Sequence, residues 1–463
     1  MSRSIRDRSG VFCVALVAAT LFGAAMLFGT ATLFGAASAD AKTEPACVAR
    51  KFKHPGLLTN QPELAAVRKH IQAGDEPWHS AFVALQHSQY AKPDYTPHPF
   101  EVVSSGILGR DSKGAHEEWD DSVAAYTQTL LWIFTGEEVF ARNAAKILDA
   151  WSSTLKVHEG QNWYLQAGWT GSTFPLSAEL LRATYPQWSR QEIAQFSRML
   201  DVAFLPELHG RMAYGNREFA VINAIMAIGV FNDDPAAFCE GLTHWESYVP
   251  DYIYLSSDGA APASADFWTK TPDDPELKAM DAGLAPGSAD WIGAPVQSYG
   301  DDHGMLEHHT VQQNWYEPGD KFVDGLSSET GRDLGHAEMA FAGLVNAAEI
   351  ARHQDIDLYK PNAKRLAAFM ELHAALRMGA KLPDGLYGGR PLNFGGLIPA
   401  YDLAYGRLVH DEGMDLPHTR ALLENVLRPV VAKTAPPPPG IQASDITGPV
   451  SLTSVWMTLT NAR

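Results

Sequence analysis

The chain has 463 residues, 46% hydrophobic and 19% charged, with 29 Pro, 38 Gly and 3 Cys, a composition that excludes a disordered, collagen-like or disulfide-stapled protein. Lys and Arg total 36 against 54 Asp and Glu, a formal charge of −18. That balance disfavours nonspecific binding to nucleic acid or to an anionic membrane, although a cleft can be locally basic on an acidic protein.

The first forty residues read as a secretory leader. Arg3, Arg6 and Arg8 precede an apolar stretch from Val11 to Ala37, within which ATLFGAA occurs at 19–25 and again at 31–37. Small residues then offer cleavage after Ala39 or Ala41. The expected organisation is a signal peptide over 1–41 and one domain over 42–463, placing the protein in the periplasm or outside the cell, with no stable membrane insertion after cleavage. The same apolar length would also allow an uncleaved anchor. Loss of three Arg and two Asp with the leader takes the charge from −18 to −19. Cys13 lies in the leader; export permits a bridge between Cys47 and Cys239, and one exposed plus one buried thiol fits equally well.

From Pro62 onward apolar residues recur every three or four positions, as in Leu64, Val67, Ile71 and in Ile147, Trp151, Leu155. Helices are expected near 121–135, 140–155, 173–184, 190–204, 217–231, 337–353, 362–378, 399–409 and 418–430. Gly136 follows one, Ser189 precedes another, and Asp233-Asp234-Pro235 marks a turn. Alternating strand runs are scarce and no βαβ order appears. The expected fold is therefore all-α, an (α/α) toroid or incomplete α/α barrel, with long loops and few strands. Two segments escape the helical pattern. The stretch 255–327 has the Trp, Tyr and His content of a binding loop, and the tail after Thr434, with Pro436–Pro439, reads as an extended connector to a last short strand or helix near Val455–Leu459.

Three clusters carry candidate chemistry. Glu329, Arg332, Asp333 and His336 end a loop and open a helix, where unpaired N–H groups and an Arg suit an anion; a capping and salt-bridge cluster is the competing account. Tyr214-Gly215-Asn216-Arg217-Glu218 precedes an apolar helix, with Asn216 either a helix cap or a carboxamide donor to a substrate carboxylate. Asn162, Gln166 and Trp169 alternate amides with aromatics in a manner suited to sugar rings, with core packing as the alternative for Trp169. His303, His308 and His309 match no zinc spacing, so no metal is expected. No GxSxG elbow, P-loop or strand-borne GxGxxG is present, and no cofactor is expected.

Together these clusters resemble the alginate lyase domain family of polysaccharide lyases. The resemblance rests on KHPGLLTNQPELAAVRKHIQAGDEPW, LQAGWTGSTFPLSAELLRAT, GNREFAVINAIMAIGVFND, FVDGLSSETGRDLGHAEMAFAGLVNAAEIA and IPAYDLAYGRL, in order from residue 53 to about 430. It implies an (α/α) toroid with a long groove and β-elimination on an anionic polyuronate. Asn216 then matches the family's asparagine at a loop-to-helix junction, and Arg332 its arginine before a long helix. The chain departs from better-known alginate lyases, which have His directly after that Asn and Tyr a few residues after that Arg. Here Arg217 and the residues around Glu338 and Met339 occupy those places.

In this chemistry a uronate C5 proton is removable only once the adjacent carboxylate is neutralised. A His or Tyr takes the proton and an acid, often Tyr, protonates the leaving O4. The expected base or carboxylate partner is His336 or a histidine of the 303–309 loop, and the expected phenol acid is Tyr316 or Tyr214. Asn162, Gln166, Trp169, Tyr214, Arg217, Glu218, His303, His309, Glu329 and Asp333 are expected to bind substrate; Glu218 could neutralise a uronate only if buried and protonated. In β-mannuronate and β-glucuronate the C5 proton and O4 share a side, so one Tyr could serve as acid and base, whereas guluronate requires two residues. Two competing functions are a glycoside hydrolase using Asp301 or Asp302 with Glu329, and a noncatalytic periplasmic polysaccharide-binding protein.

Overall fold

The computed structural model describes residues 51–106, 112–160, 162–210, 215–260, 321–389, 391–434 and 454–463. Helix α1 (Gln61–Ala73) starts at a capping box: Asn60 Oδ1 accepts from Glu63 N, and Glu63 Oε2 accepts from Asn60 N. Helix α2 (Trp78–Gln86) follows. Then come α3 (Ala115–Thr135), α4 (Glu138–Thr154), α5 (Trp163–Thr184), α6 (Arg190–Ala203), the single turn α7 (Leu205–Leu208), α8 (Asn216–Phe231) and α9 (Pro235–Tyr252). Beyond the segment 261–320 lie α10 (Leu334–His353) and α11 (Tyr359–Arg377). Helix α12 (Tyr401–Gly406) runs on into a π-helical turn over Arg407–Asp411. A second π-helical stretch, Leu423–Leu427, joins α13 (Pro417–Leu422) to α14 (Arg428–Val431), and α15 (Met457–Asn461) lies at the end.

Burial sorts these helices into two rings. All of α8 and nearly all of α5 and α10 are buried, as expected of helices that are apolar on every side. By contrast α4 and α6 bury one stripe, Phe140, Ala144, Ile147, Trp151 and Phe196, Leu200, Ala203 respectively. The inner helices pack in series, α3 on α5, α5 on α8 and α8 on α10, while α4 and α9 back onto α3 and α8. Small residues set the inner spacing. A Cβ on Gly168 would lie 3.1 Å from the Ala220 backbone, and one on Gly343 would lie 2.8 Å from the Phe219 carbonyl.

The expected helical, strand-poor fold is present. Among the described residues the only sheet is the parallel pair β1 (Val102–Ser104) and β2 (Val157–Glu159), registered Val103 to His158. Several helices differ from the sequence reading; α2 lies where none is expected, and α3 begins six residues before 121. Helix α5 begins ten residues earlier than expected, because Gly168 and Gly171 are contact points rather than breaks, and it continues through Pro175. Helix α9 fills a stretch where no helix is expected; Asp234 caps it by accepting from Ala236 N and Ala237 N, and Pro235 occupies its first turn.

Charged networks join distant parts of the chain. Glu63 Oε1 accepts from Arg352 at 2.7 Å and from Arg407 and Arg463 at 3.0 Å, tying α1 to α10, α12 and the last residue. Glu63, Glu349 and His353 have the spacing of a cation site, but their oxygens are already occupied by these guanidinium groups. Cys239 is disulfide-bonded, and Cys47 lies outside the described residues. No described helix is long and apolar enough to cross a membrane. The proposed leader and the Pro436–Pro439 connector also fall outside the described residues.

Register in the small sheet puts His158 between two carboxylates, with Nε2 2.9 Å from Glu118 Oε1 and Nδ1 2.8 Å from Glu207 Oε2. Burial alone would lower the imidazole; the two carboxylates prevail and hold it protonated up to about pH 10. Since the folded value lies above the ordinary 6.5, this contribution to stability is complete below pH 6.5 and is lost as pH rises through about 10. The gap in unfolding free energy between wild type and His158→Gln should therefore be widest below that window and narrow across it. Urea titrations on either side test this, and a constant gap would contradict it.

Candidate active site

The inner helices α5, α8 and α10 present their N-termini at one rim of the toroid, as the bonds from Asn162 to Arg217 and from Asn216 to Glu329 require. Each N-terminus carries a partial positive charge, a setting suited to an anion despite the overall charge of −18.

The loop before α10 is anchored from beneath. Thr330 Oγ1 accepts from Ser327 N at 2.9 Å and lies 3.0 Å from His373 Nε2. His373 stacks on Phe369 with ring centroids 3.8 Å apart, and its Nδ1 lies 2.9 Å from the Phe369 carbonyl. Burial pushes this imidazole down to about 3, so it is neutral at ordinary pH. A carbonyl can only accept; Nδ1 therefore carries the proton and Nε2 accepts from the Thr330 hydroxyl.

Glu329, fully buried, is the centre of the cluster. Its Oε2 accepts from Asn216 N at 2.7 Å and Tyr252 OH at 3.2 Å; its Oε1 accepts from Asn216 Nδ2 at 2.9 Å and Arg332 Nη1 at 3.2 Å. Gly215 makes room for it. With φ of +59°, a Cβ there would lie 2.3 Å from the Glu329 carboxyl carbon. Gly215 N donates to Tyr248 OH at 2.6 Å.

Asp333 caps α10 and orients a histidine with the same carboxylate. Oδ1 accepts from His336 N at 2.7 Å, and Oδ2 lies 2.6 Å from His336 Nδ1. Burial works against the charge, yet His336 and Arg332, whose Nε is 3.8 Å from Oδ2, hold the carboxyl well below its usual range. The ionised carboxylate requires a proton on Nδ1, which leaves Nε2 as the basic nitrogen of a side chain 30% exposed. This is the carboxylate–imidazole arrangement of a general base.

The remaining candidates separate from this group. Arg217 Nη1 lies 3.3 Å from Tyr164 OH and Nη2 3.3 Å from Asn162 Oδ1, so the guanidinium bridges α8 to the start of α5. Gln166 is fully buried and donates to Glu118 Oε2 at 2.6 Å and to the Ala115 carbonyl. Trp169, half-buried, meets Trp119 edge-on at 5.4 Å. Glu218 is buried and faces α9, with Oε1 3.2 Å from His244 Nδ1; its carboxylate raises that imidazole above the ordinary 6.5, against burial. Tyr214, His303, His309 and Tyr316 lie outside the described residues, as do His308, Asp301 and Asp302.

Sequence reasoning missed Tyr248, Tyr252, Thr330 and His373. The two tyrosines are spaced i, i+4 on α9, and that signal becomes visible once Asp234-Pro235 is read as a helix start.

No family model and no curated protein matches the chain. Solved structures do. A histidine-to-alanine variant of alginate lyase A1-III complexed with tetrasaccharide is 15% identical over 81% of this chain and 92% of its own, with a TM-score of 0.51. Alginate lyase A1-III from Sphingomonas species A1 is 16% identical over 78% and 92%, at 0.48, and an alginate lyase from Bacteroides ovatus is 10% identical over 85% and 99%, at 0.44. The first of these likenesses, with the two helical rings, establishes an all-α (α/α) toroid fold of the kind found in alginate lyases.

Proposed function

We propose that this chain is a secreted or periplasmic polysaccharide lyase that cleaves a β-1,4-linked polyuronate by β-elimination, its substrate being alginate or polymannuronate, or glucuronan. One observation carries the reading: an asparagine, an arginine and a carboxylate-oriented histidine, Asn216, Arg332 and His336, meet at one anion-suited rim.

In this reading Asn216 and Arg332 donate to the uronate carboxylate, and the helix N-termini add positive potential. Neutralising that group lets negative charge spread into it as C5 loses its proton. His336 Nε2 takes the proton while Asp333 holds Nδ1 and stabilises the imidazolium that forms. The C5–H electron pair becomes the C4=C5 bond, the C4–O4 bond breaks, and a phenol protonates O4. Tyr316 and Tyr214 are the residues proposed for that last step. Tyr248 and Tyr252 do not suit it, because burial pushes both phenols well above their ordinary range. Arg217, Asn162 and Trp169 are proposed to line the groove beside the reacting sugar, with Gln166 and Glu218 supporting it from behind.

A hydrolytic reading would need Glu329 as an acid, and its oxygens already accept four hydrogen bonds. Incubation with polymannuronate, polyguluronate and glucuronan, followed by the ultraviolet absorbance of the unsaturated uronate, tests the proposal. A rise on at least one polymer is expected; no rise on any of them overturns it.

A further inference from the structure

We infer that Glu329 is a positioning residue that never meets the substrate: it sets the Asn216 carboxamide and the Arg332 guanidinium at the angle needed to receive a uronate carboxylate. The inference rests on the lyase reading and adds to it a residue whose action passes entirely through two others.

Four observations support it. Glu329 is fully buried, so a polymer in the groove cannot reach it. Its two oxygens accept four hydrogen bonds, two from Asn216, one from Arg332 and one from Tyr252. Both uronate-binding side chains therefore turn about one fixed anion. The backbone of α8 is shaped around it as well, since any side chain at Gly215 would occupy the carboxyl group's space. Finally, the two Asn216 bonds fix that residue at both its backbone and its amide, so the carboxamide's remaining hydrogen has a set direction.

Only a carboxylate does this. It accepts at both oxygens and donates at neither, whereas a carboxamide would set an N–H against one pair of donors. In Glu329→Gln the clash is relieved most simply if Asn216 flips its amide and presents Oδ1 to the new N–H, which turns the Asn216 donor away from its native direction. Arg332 meanwhile loses a charged acceptor.

The expected result for Glu329→Gln is a kcat reduced about 100-fold with KM changed less than about threefold, the signature of misplaced rather than missing binding groups. The decisive comparison is a double-mutant cycle with Asn216→Ala. If Glu329 acts through Asn216, its substitution costs far less once Asn216 has gone; a merely structural role would give multiplying losses. Tyr252→Phe, which removes one donor and keeps the carboxylate, is expected to lower kcat several-fold with the same dependence on Asn216, and it decides the matter should the Gln variant fail to fold.

A wild type that releases unsaturated uronate, beside variants with normal kcat or with losses that multiply in the cycle, overturns the positioning role and leaves the lyase reading intact. A wild type without lyase activity overturns both. Reduced kcat at steady KM together with a non-multiplying cycle supports the inference.

Discussion

Replacing His336 by alanine is expected to lower kcat on a susceptible polyuronate by about 10²–10⁴-fold, the range a positioned general base supplies. The fold should tolerate the change. His336 is 30% exposed, and its side-chain hydrogen bond is to Asp333, which keeps the residue-336 backbone N–H and the nearby Arg332, so the unfolding free energy should fall by about 1–3 kcal/mol. Asp333→Asn makes the sharper comparison. Asparagine caps a helix about as well as aspartate, so α10 keeps its start. One carboxylate oxygen becomes an N–H, however, and if that group faces His336 Nδ1 the ring must shift its proton to Nε2. A base protonated on its working nitrogen cannot act, and activity should fall about as far as in the alanine variant, again about 10²–10⁴-fold. Steady-state kinetics with a denaturant titration of each variant measures both quantities. A His336→Ala protein retaining wild-type kcat would remove this residue from the proposed mechanism.

The largest effect on stability is expected from Arg377→Met. Glu338 is fully buried and accepts from Arg377 Nε and Nη2, each at 2.9 Å, from Tyr401 OH at 2.9 Å and from Ile398 N at 3.1 Å. Removing the guanidinium leaves a carboxylate buried without its counter-charge, which typically costs about 3–5 kcal/mol. Adding Glu338→Leu should recover part of that loss, because the stranded charge goes with it. The pair also bears on the candidate site. Arg377 Nη2 donates to the Gly396 carbonyl at 2.6 Å, and the Asn393 carbonyl, three residues earlier, accepts from Leu334 N at the start of α10. Loosening the pair should therefore weaken the support beneath Asp333 and His336. Guanidinium unfolding of the single and double variants tests the account; a double variant less stable than Arg377→Met would contradict it.

Glu338 also shows why some of the candidate site was readable in the sequence and some was not. Signals that act within a few residues were legible. Asp333 three residues before His336, and Asn216 opening an apolar run, both announce helix starts, and both residues stand at helix starts. Glu338 and Met339, by contrast, stand where the resemblance to alginate lyases leads one to expect a tyrosine, and their neighbours in sequence do not show what each touches. Glu338 is committed to Arg377, 39 positions away, and Met339 packs half-buried against the core. The contact of Asn216 with Glu329 spans 113 positions, and a motif search within either segment contains no trace of it.

Local grammar misled where packing reversed its meaning. A helix is expected only from 173; in the folded chain Gly168 and Gly171 let α5 approach Ala220 and Phe204, and the helix begins at Trp163 and continues through Pro175. Gln166 reads as an amide facing a sugar because aromatics flank it, yet the inner-ring position of α5 places it against Glu118. A helix buried on every side gives no amphipathic stripe from which to choose the groove-facing residues.

The most direct test of the central claim is the mass of the product released from a defined oligouronate. Elimination adds no water to the bond it breaks, so one of the two fragments must carry a C4=C5 double bond and weigh one water less than its hydrolytic counterpart. The account predicts that lighter fragment from wild type and its disappearance in His336→Ala. Two fragments of full hydrolytic mass, or an oligouronate recovered whole, would contradict it.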